Sequence, residues 1–485
     1  MIFIKPKIHD SNTLEFKVGF VPQDGVTYND FSMNTWIFIP EVLDVNKHTY
    51  AKDTFYCDIL SHLRLITPSY RLMELADAHS LPCTRLADAC RSMANHAGDD
   101  ALNALQSEIK MFASIVKSSI RDAYHDLERA SVKQRTSMTH DFLQHCRAVL
   151  GHYRSMREVL ESTEEARQAI IYYNYGDEFI SNILEQHCGR IIKVLTAHHN
   201  VIEPSLLAEL QQLLGHEQAY RKQMGYIGVE QASPDGNGQF VYHASQLKKY
   251  IESNLYLPTH KRRNNVFLEQ VAFSLAAGIA MVFATVVSFA FQQTYGNFTM
   301  EFFIALVISY MFKDRIKDLI HNYFANSMGG RLYDYITTIR IGGNRIGHVK
   351  EGFDFVSPAD VSKQVNEKRA RRSPLVINRG VDEQVIQYRK HVHIRRKAVQ
   401  QLSDYPLTGV NNIVRYNLAG FMRKMDNPQV SLFVNDGSAT AATTRGNKLY
   451  YLNFVIHCKY AAQSEYKRYR VCLCRDGIKG INEIK

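Results

Sequence analysis

In the first 45 residues, apolar and polar positions alternate. Leu14, Phe16, Val18 and Phe20 fall on one side of an extended chain, and Trp36 and Phe38 repeat the pattern. A period of two predicts strands, with Gly25 and Asn29-Asp30 at the connection and Pro40 ending the second run. From about Thr54 the period lengthens. Leu102, Leu105, Ile109, Phe112, Val116, Ile120, Ala123 and Leu127 step by three and four, which predicts an amphipathic helix with a coiled-coil-like seam, started by Asp99 or Asp100. Three further stripes follow: Met138, Phe142, Val149, Tyr153, Met156 and Leu160; then Phe179, Ile183, Ile191 and Leu195; then Leu206, Leu207, Leu210, Leu213 and Leu214 after Pro204-Ser205. Long helices with short connectors predict a bundle. Residues 230–238, with Pro234, Gly236 and Gly238, read as a linker. A helix near 243–256 comes after it.

Periodicity then stops mattering, because polarity disappears. No Asp, Glu, Lys, Arg or His occurs from Gln270 to Met300. Val271 to Phe291 alone would make a helix of about 31 Å, enough to cross a bilayer. A polar loop, Gln292 to Asn297, separates it from a shorter apolar run, Phe298 to Phe312, whose one charge is Glu301 and whose length is about 22 Å. His260, Lys261, Arg262 and Arg263 precede the pair, and Lys313, Arg315 and Lys317 follow it. The positive-inside tendency therefore predicts a transmembrane helical hairpin over 266–312 with both termini cytoplasmic. Ala272, Ala276, Ala280, Ala284 and Ser288 recur every four residues, and Ala305 and Ser309 extend the pattern. Such small residues allow close helix approach, either between the two spans or between copies. No ionisable group stands mid-span, so the hairpin reads as an anchor, with a pore built from several copies as the alternative.

The last third is strand-like and basic. Tyr450, Leu452, Phe454, Ile456, Cys458 and Tyr460 alternate, and Tyr469, Val471 and Leu473 fit a partner strand before the Asp476-Gly477 turn. Residues 410–425, with Ile413, Val414, Leu418, Phe421 and Met425, fit a helix better. Ser357-Pro358-Ala359-Asp360 reads as a helix start. Of the 58 basic and 48 acidic residues, 30 and 15 lie from Lys313 onward, which leaves 28 and 33 in the rest. The basic excess thus belongs wholly to the C-terminal part, and a field of that sign attracts phosphate. In Val385 to Arg395, Ile386, Tyr388, Val392 and Ile394 take one side of a strand, and Arg389, His391, His393 and Arg395 take the other. With Arg369, Arg371, Arg372, Arg468 and Arg470 they form a candidate surface for phosphate groups of anionic lipid or nucleic acid. A solvated sheet face under an anionic membrane accounts for the same charges.

The mean hydropathy of −0.26 excludes a many-helix transporter. Eight cysteines lie at positions with no zinc or disulfide spacing, as in a reducing compartment. His140, His145 and Cys146, and His187, Cys188, His198 and His199, do not have the spacing of metal ligands. No phosphate-binding glycine loop, zinc-protease motif or nucleophile elbow is present, so no catalytic, cofactor-binding or metal residue is assigned and an enzyme is the less favoured class. The phrases Trp36-Ile37-Phe38-Ile39-Pro40, Lys313-Asp314-Arg315-Ile316-Lys317-Asp318, Arg423-Lys424-Met425-Asp426 and Arg475-Asp476-Gly477-Ile478 resemble an uncharacterised group of bacterial two-pass membrane proteins. That resemblance implies a bacterial inner membrane and no activity. The expectation is an α+β membrane protein divided as follows: 1–52, an N-terminal β element; 53–229, a cytoplasmic helical bundle; 230–265, a linker and pre-membrane helix; 266–312, the transmembrane hairpin; 313–485, a basic β-rich cytoplasmic domain. The expected role is a homo-oligomeric, membrane-anchored scaffold or regulatory protein acting with other proteins. A membrane-tethered nucleic-acid binder and an oligomeric channel are the alternatives.

Overall fold

Period-two alternation at the N-terminus becomes three strands, β1 (Ile2–Ile8), β2 (Thr13–Phe20) and β3 (Tyr28–Pro40), followed by α1 (Lys52–Asp58) and β4 (Ile59–Leu65). In this computed structural model the described residues are 2–21, 27–164, 166–197, 204–229, 234–264, 266–296, 299–329, 332–341, 344–369, 383–395, 405–406, 409–434 and 442–484. Helices then dominate: α2 (Leu72–Leu75), α3 (Leu81–Asn95), α4 (Asp99–Arg129), α5 (Val132–Glu161), α6 (Arg167–Ala197), α7 (Pro204–Gln223) and α8 (Pro234–Glu252). A strand, β5 (Thr259–Arg263), leads into α9 (Val266–Tyr295) and α10 (Met300–Gly329). After them come β6 (Tyr335–Ile341), β7 (Asn344–Val356), α11 (Lys363–Arg369), β8 (Glu383–Arg395), β9 (Val410–Asn417), α12 (Ala419–Met422), β10 (Gln429–Val434), β11 (Ala442–Asn447), β12 (Tyr450–Tyr460), β13 (Gln463–Cys474) and β14 (Gly477–Ile484). The fold is mixed α+β, with N-terminal strands, central helices and a C-terminal sheet.

The chain forms two compact units, one of residues 1–64, 257–404 and 409–485, the other of 65–256 and 405–408. In the first, an eight-stranded sheet runs β14-β13-β12-β3-β8-β7-β6-β5, and a four-stranded sheet runs β1-β2-β9-β4. β10 and β11 form a separate antiparallel pair. The β2 side chains Leu14, Phe16, Val18 and Phe20, all at most 1% exposed, fill the space between the two larger sheets. Phe16 meets Phe454 and Tyr469 at 5.4 Å each, and Phe20 stacks on Phe31 at 4.8 Å. Each such buried ring contributes roughly 2–3 kcal/mol. Trp36 and Phe38 point to the opposite face, where they pack with Val361, Val365, Val385 and Val455.

The linear division of the chain does not describe this unit. β3 hydrogen-bonds to β8 on one side and β12 on the other, and β2 pairs with β9, so the N-terminal strands share sheets with the last third of the chain. Local periodicity predicts the strands but carries no information on partners hundreds of residues away. Residues 410–417 form a strand instead of the expected helix: β-branched Val410, Ile413 and Val414 pair along β2, and only 419–422 are helical. Pro358–Asp360 is a single 3-10 turn.

In the second unit, the four predicted stripes become α4, α5, α6 and α7. The α4 seam (Leu105, Ile109, Phe112, Val116, Ile120 and Leu127) is buried, and α4 packs on α3, α6 and α8, so the seam serves a bundle in place of a two-stranded coil. Helix α4 is preceded by Gly98 as its cap residue, and α8 starts at Pro234, inside the expected linker, because proline suits the first turn of a helix. Residues 230–233 lie outside the described ones.

Candidate functional site

The odd-numbered side chains of β8 share the outer face of the eight-stranded sheet, as alternation predicts, and register supplies their neighbours. His393 stands between Asp30 of β3 and His348 of β7, His391 between Ser32 and Lys350, Arg389 between Asn34 and Gly352, and Arg395 beside Tyr28. One Asp30 oxygen lies 2.7 Å from His393 Nδ1 and 3.5 Å from His391 Nε2. Tyr28 stacks on His393 at 4.7 Å, and the Arg395 guanidinium lies 5.6 Å from the Tyr28 ring. Arg389 is turned away from this group: its Nη2 donates to Asp354 Oδ2 at 2.9 Å and to Leu332 O at 3.0 Å. Gly352 leaves it room, since a Cβ there would come within 3.2 Å of the guanidinium.

Two more members of the expected phosphate surface are buried elsewhere. Arg369 pairs with Glu383, and Arg468 donates to Asn453 Oδ1 at 3.0 Å and to Lys368 O at 3.1 Å. Arg470 holds its guanidinium 5.7 Å from the Tyr451 ring. Arg371 and Arg372 lie outside the described residues. Burial, then His393 and the nearby cations, bring His348 down to about 4, and burial also lowers His391 despite Asp30. At neutral pH His348 and His391 are therefore uncharged imidazoles, and Arg395 and Lys350 stand at the margin of the strip.

The inner face of β7 and β8 holds a polar network, and alternation along β8 accounts for one member of it. Lys390 falls on the side of Ile386, Tyr388, Val392 and Ile394, and Glu351 is its direct cross-strand partner. Both are buried, at 1% and 3% exposure. The Lys390 ammonium donates to Ser61 Oγ and Asn412 Oδ1, the Tyr388 hydroxyl donates to Glu351 Oε1, and Lys261 Nζ lies 3.3 Å from Glu351 Oε2. Burial lowers Lys390 to about 8 against the pull of Glu351. Burial alone would raise Glu351, but Lys390 and Lys261 outweigh it and hold the carboxyl below its usual range. Asp334, next along, accepts from Lys52 at 2.7 Å, Tyr56 at 2.9 Å and the Phe353 N–H at 2.8 Å. Every charge here has a protein partner, which is the condition for burying one.

A second network crosses the helical unit. Arg154 of α5 forks onto Glu217 of α7 with two bonds of 2.8 Å and reaches Asp177 of α6 at 3.1 Å. Tyr220 and Tyr226 donate to Asp177 at 2.8 and 3.0 Å, and Ser181 donates to Glu217 at 2.9 Å. The signal was present in the sequence: Asp177 and Ser181 occupy the same three-four seam as Leu184 and Cys188. Bidentate guanidinium–carboxylate pairs fix helix register, which is a structural use. The histidines noted in the sequence do not assemble with it. His140 lies 3.5 Å from Glu209 at the surface, and His187 Nδ1 bonds the Ile183 carbonyl oxygen at 2.8 Å; His198 and His199 are outside the described residues.

Among the described residues no group of His, Cys, Asp or Glu is placed to hold a metal ion. All eight cysteines are free thiols, and burial lifts Cys90 and Cys188 to about 12, which removes nucleophilic character. The described residues contain one helix long and apolar enough to cross a membrane, Phe273–Tyr295 in α9. α10 packs beside it: Ala276, Ala280, Ala305 and Ser309 are buried, and Ser309 Oγ donates to the Ala284 carbonyl at 3.3 Å. The small stripe is thus an intrachain seam at Ala276, Ala280 and Ala284. Ser288 Oγ bonds its own helix at Ala284 O, 2.8 Å away, and the Ala272 side chain lies outside the described ones. Comparison with protein families, with curated proteins and with solved structures found no match to this chain.

Proposed function

We propose that this chain is a membrane-anchored scaffold or regulatory protein whose α9–α10 hairpin crosses a bacterial inner membrane twice and holds the rest of the chain at the cytoplasmic face. One observation carries the reading. β5 and β6, the strands that enter and leave the hairpin, are hydrogen-bonded neighbours from Thr259↔Ile339 to Arg263↔Tyr335. The Asn264 N–H continues the ladder to Asp334 O at 2.9 Å. The two feet of the hairpin therefore stand side by side on one side of any membrane. A chain that crosses on α9 has to return on α10.

The exposed faces agree with lipid as their surroundings. Phe289, Val286, Phe303, Ile304 and Met311 are each at least 50% exposed. Water would penalise that surface, whereas hydrocarbon accepts it. The test is a single cysteine at Gln293, in the turn between the helices, in cells. A membrane-impermeant maleimide should label it from outside, and the protein should resist alkaline extraction. Release by alkali would end the anchor reading.

A further inference from the structure

A membrane hairpin must present apolar surface wherever lipid touches it and must resolve any apolar surface left in water. The helix register fixes those depths. From the Ser309–Ala284 contact, two antiparallel helices advancing at the same rate place Lys313 level with Ala280. Between that level and the turn, both helices are free of charge except for Glu301, over about 22 Å. Lys313 rests its ammonium 3.8 Å from the Tyr310 ring, a pairing of the residue types that mark a bilayer boundary.

Below this boundary the two helices disagree. α10 carries Asp314, Arg315, Lys317 and Asp318, and among the described residues no ion pair or hydrogen bond engages these four side chains. Four unpaired charges place this level in water. Yet α9 stays apolar down to Val271. Val271, Leu275 and Val282 are 46–64% exposed and, with Gly278, line a shallow groove. Their spacing of four, three and four is a seam. Helical geometry sets it opposite Ala276 and Ala280, the residues that face α10.

Resting on the two-pass reading, we propose that this seam docks on the same seam of a second copy of the chain, two α9 helices parallel and back to back, with each α10 outside and its charges in water. The occupant follows from depth and charge. The face has no charged group from Gln270 to Val282 with which to select an oppositely charged partner. A second copy anchored by the same hairpin presents an identical apolar face at the identical depth and orientation. Around a two-fold axis each seam residue then meets its own counterpart.

The test uses the full-length protein in its membrane, with the exposed Cys57 changed to Ser. Single cysteines at Leu275 and Val282 should form disulfide-linked dimers on mild oxidation. Ala277→Cys, about 140–160° round the helix from both, should not, and Asp318→Cys should react with a water-soluble maleimide from the cytoplasmic side. Equal crosslinking at 275 and 277, or none at 275 and 282, overturns the proposal, as does an unreactive cysteine at 318. Labelling of Gln293→Cys from outside, measured in the same membranes, shows whether such a failure belongs to the dimer alone or to the two-pass reading beneath it.

Discussion

Lys390 is the residue whose position most needs explaining, because a fully buried ammonium is tolerated only with its partners in place. Replacing it with Met leaves Glu351 buried with Lys261 as its remaining close cation, and removing one member of a buried pair costs about 3 kcal/mol or more. Changing Glu351→Gln at the same time should recover at least about 1 kcal/mol of that loss, since neither charge is then stranded. Trp36, the one tryptophan of the chain, is buried in the same unit and reports its unfolding by fluorescence in a urea titration. Equal losses in the single and double variants would mean that Glu351 and Lys390 do not act together. At this scale the sequence was partly legible. Alternation required Lys390 to point inward with Ile386 and Tyr388, but its partners Ser61, Glu351 and Asn412 come from three other strands that no local pattern names.

The three-strand strip of β3, β7 and β8 has a pH dependence that belongs to the elements together. His348 titrates at about 4 in the folded protein against an ordinary 6.5. The folded state then binds fewer protons than the unfolded one between those values, so its stability is complete above pH 6.5 and falls as the pH drops toward 4. Asp354, pushed up to about 6 by burial, works in the opposite sense, because the folded state takes up its proton first. His348→Gln removes the first effect and leaves the second. The variant should therefore lose less in melting midpoint than the parent between pH 6.5 and pH 4.5, and an unchanged profile would mean that His348 does not contribute. The strip was half legible: His391 and His393 alternate visibly within β8, but Asp30 and His348 reach them only through strand pairing. Helices were easier to read. A three-four stripe depends on neighbours within one turn, so α4, α5, α6 and α7 were all visible, whereas residues 410–417 shared their spacing with a helix and were settled by pairing with β2.

For the molecule as a whole, the order of segments along the chain is a poor guide to the order of segments in space. The eight-stranded sheet collects β3 from the N-terminal part, β5 from before the hairpin and six strands from after it. The charge count misled in a related way, because several of the arginines behind the basic excess are spent on buried or half-buried partners such as Glu383, Asp354 and Asn453. Surface potential depends on which charges remain unpaired, which composition does not record.

Because Asn264 and Asp334 already face each other at the end of the β5–β6 ladder, the 69 residues between them are an insertion across a gap that an ordinary hairpin loop would close. Replacing residues 265–333 with Asn-Gly, whose backbone favours the turn such strands need, should give a protein that stays in the supernatant when membranes are sedimented and keeps the Trp36 emission of the parent. The α9–α10 pair is in that sense a cassette set between two paired strands, and what the sheet loses with it includes the bond from Arg389 to Leu332 O.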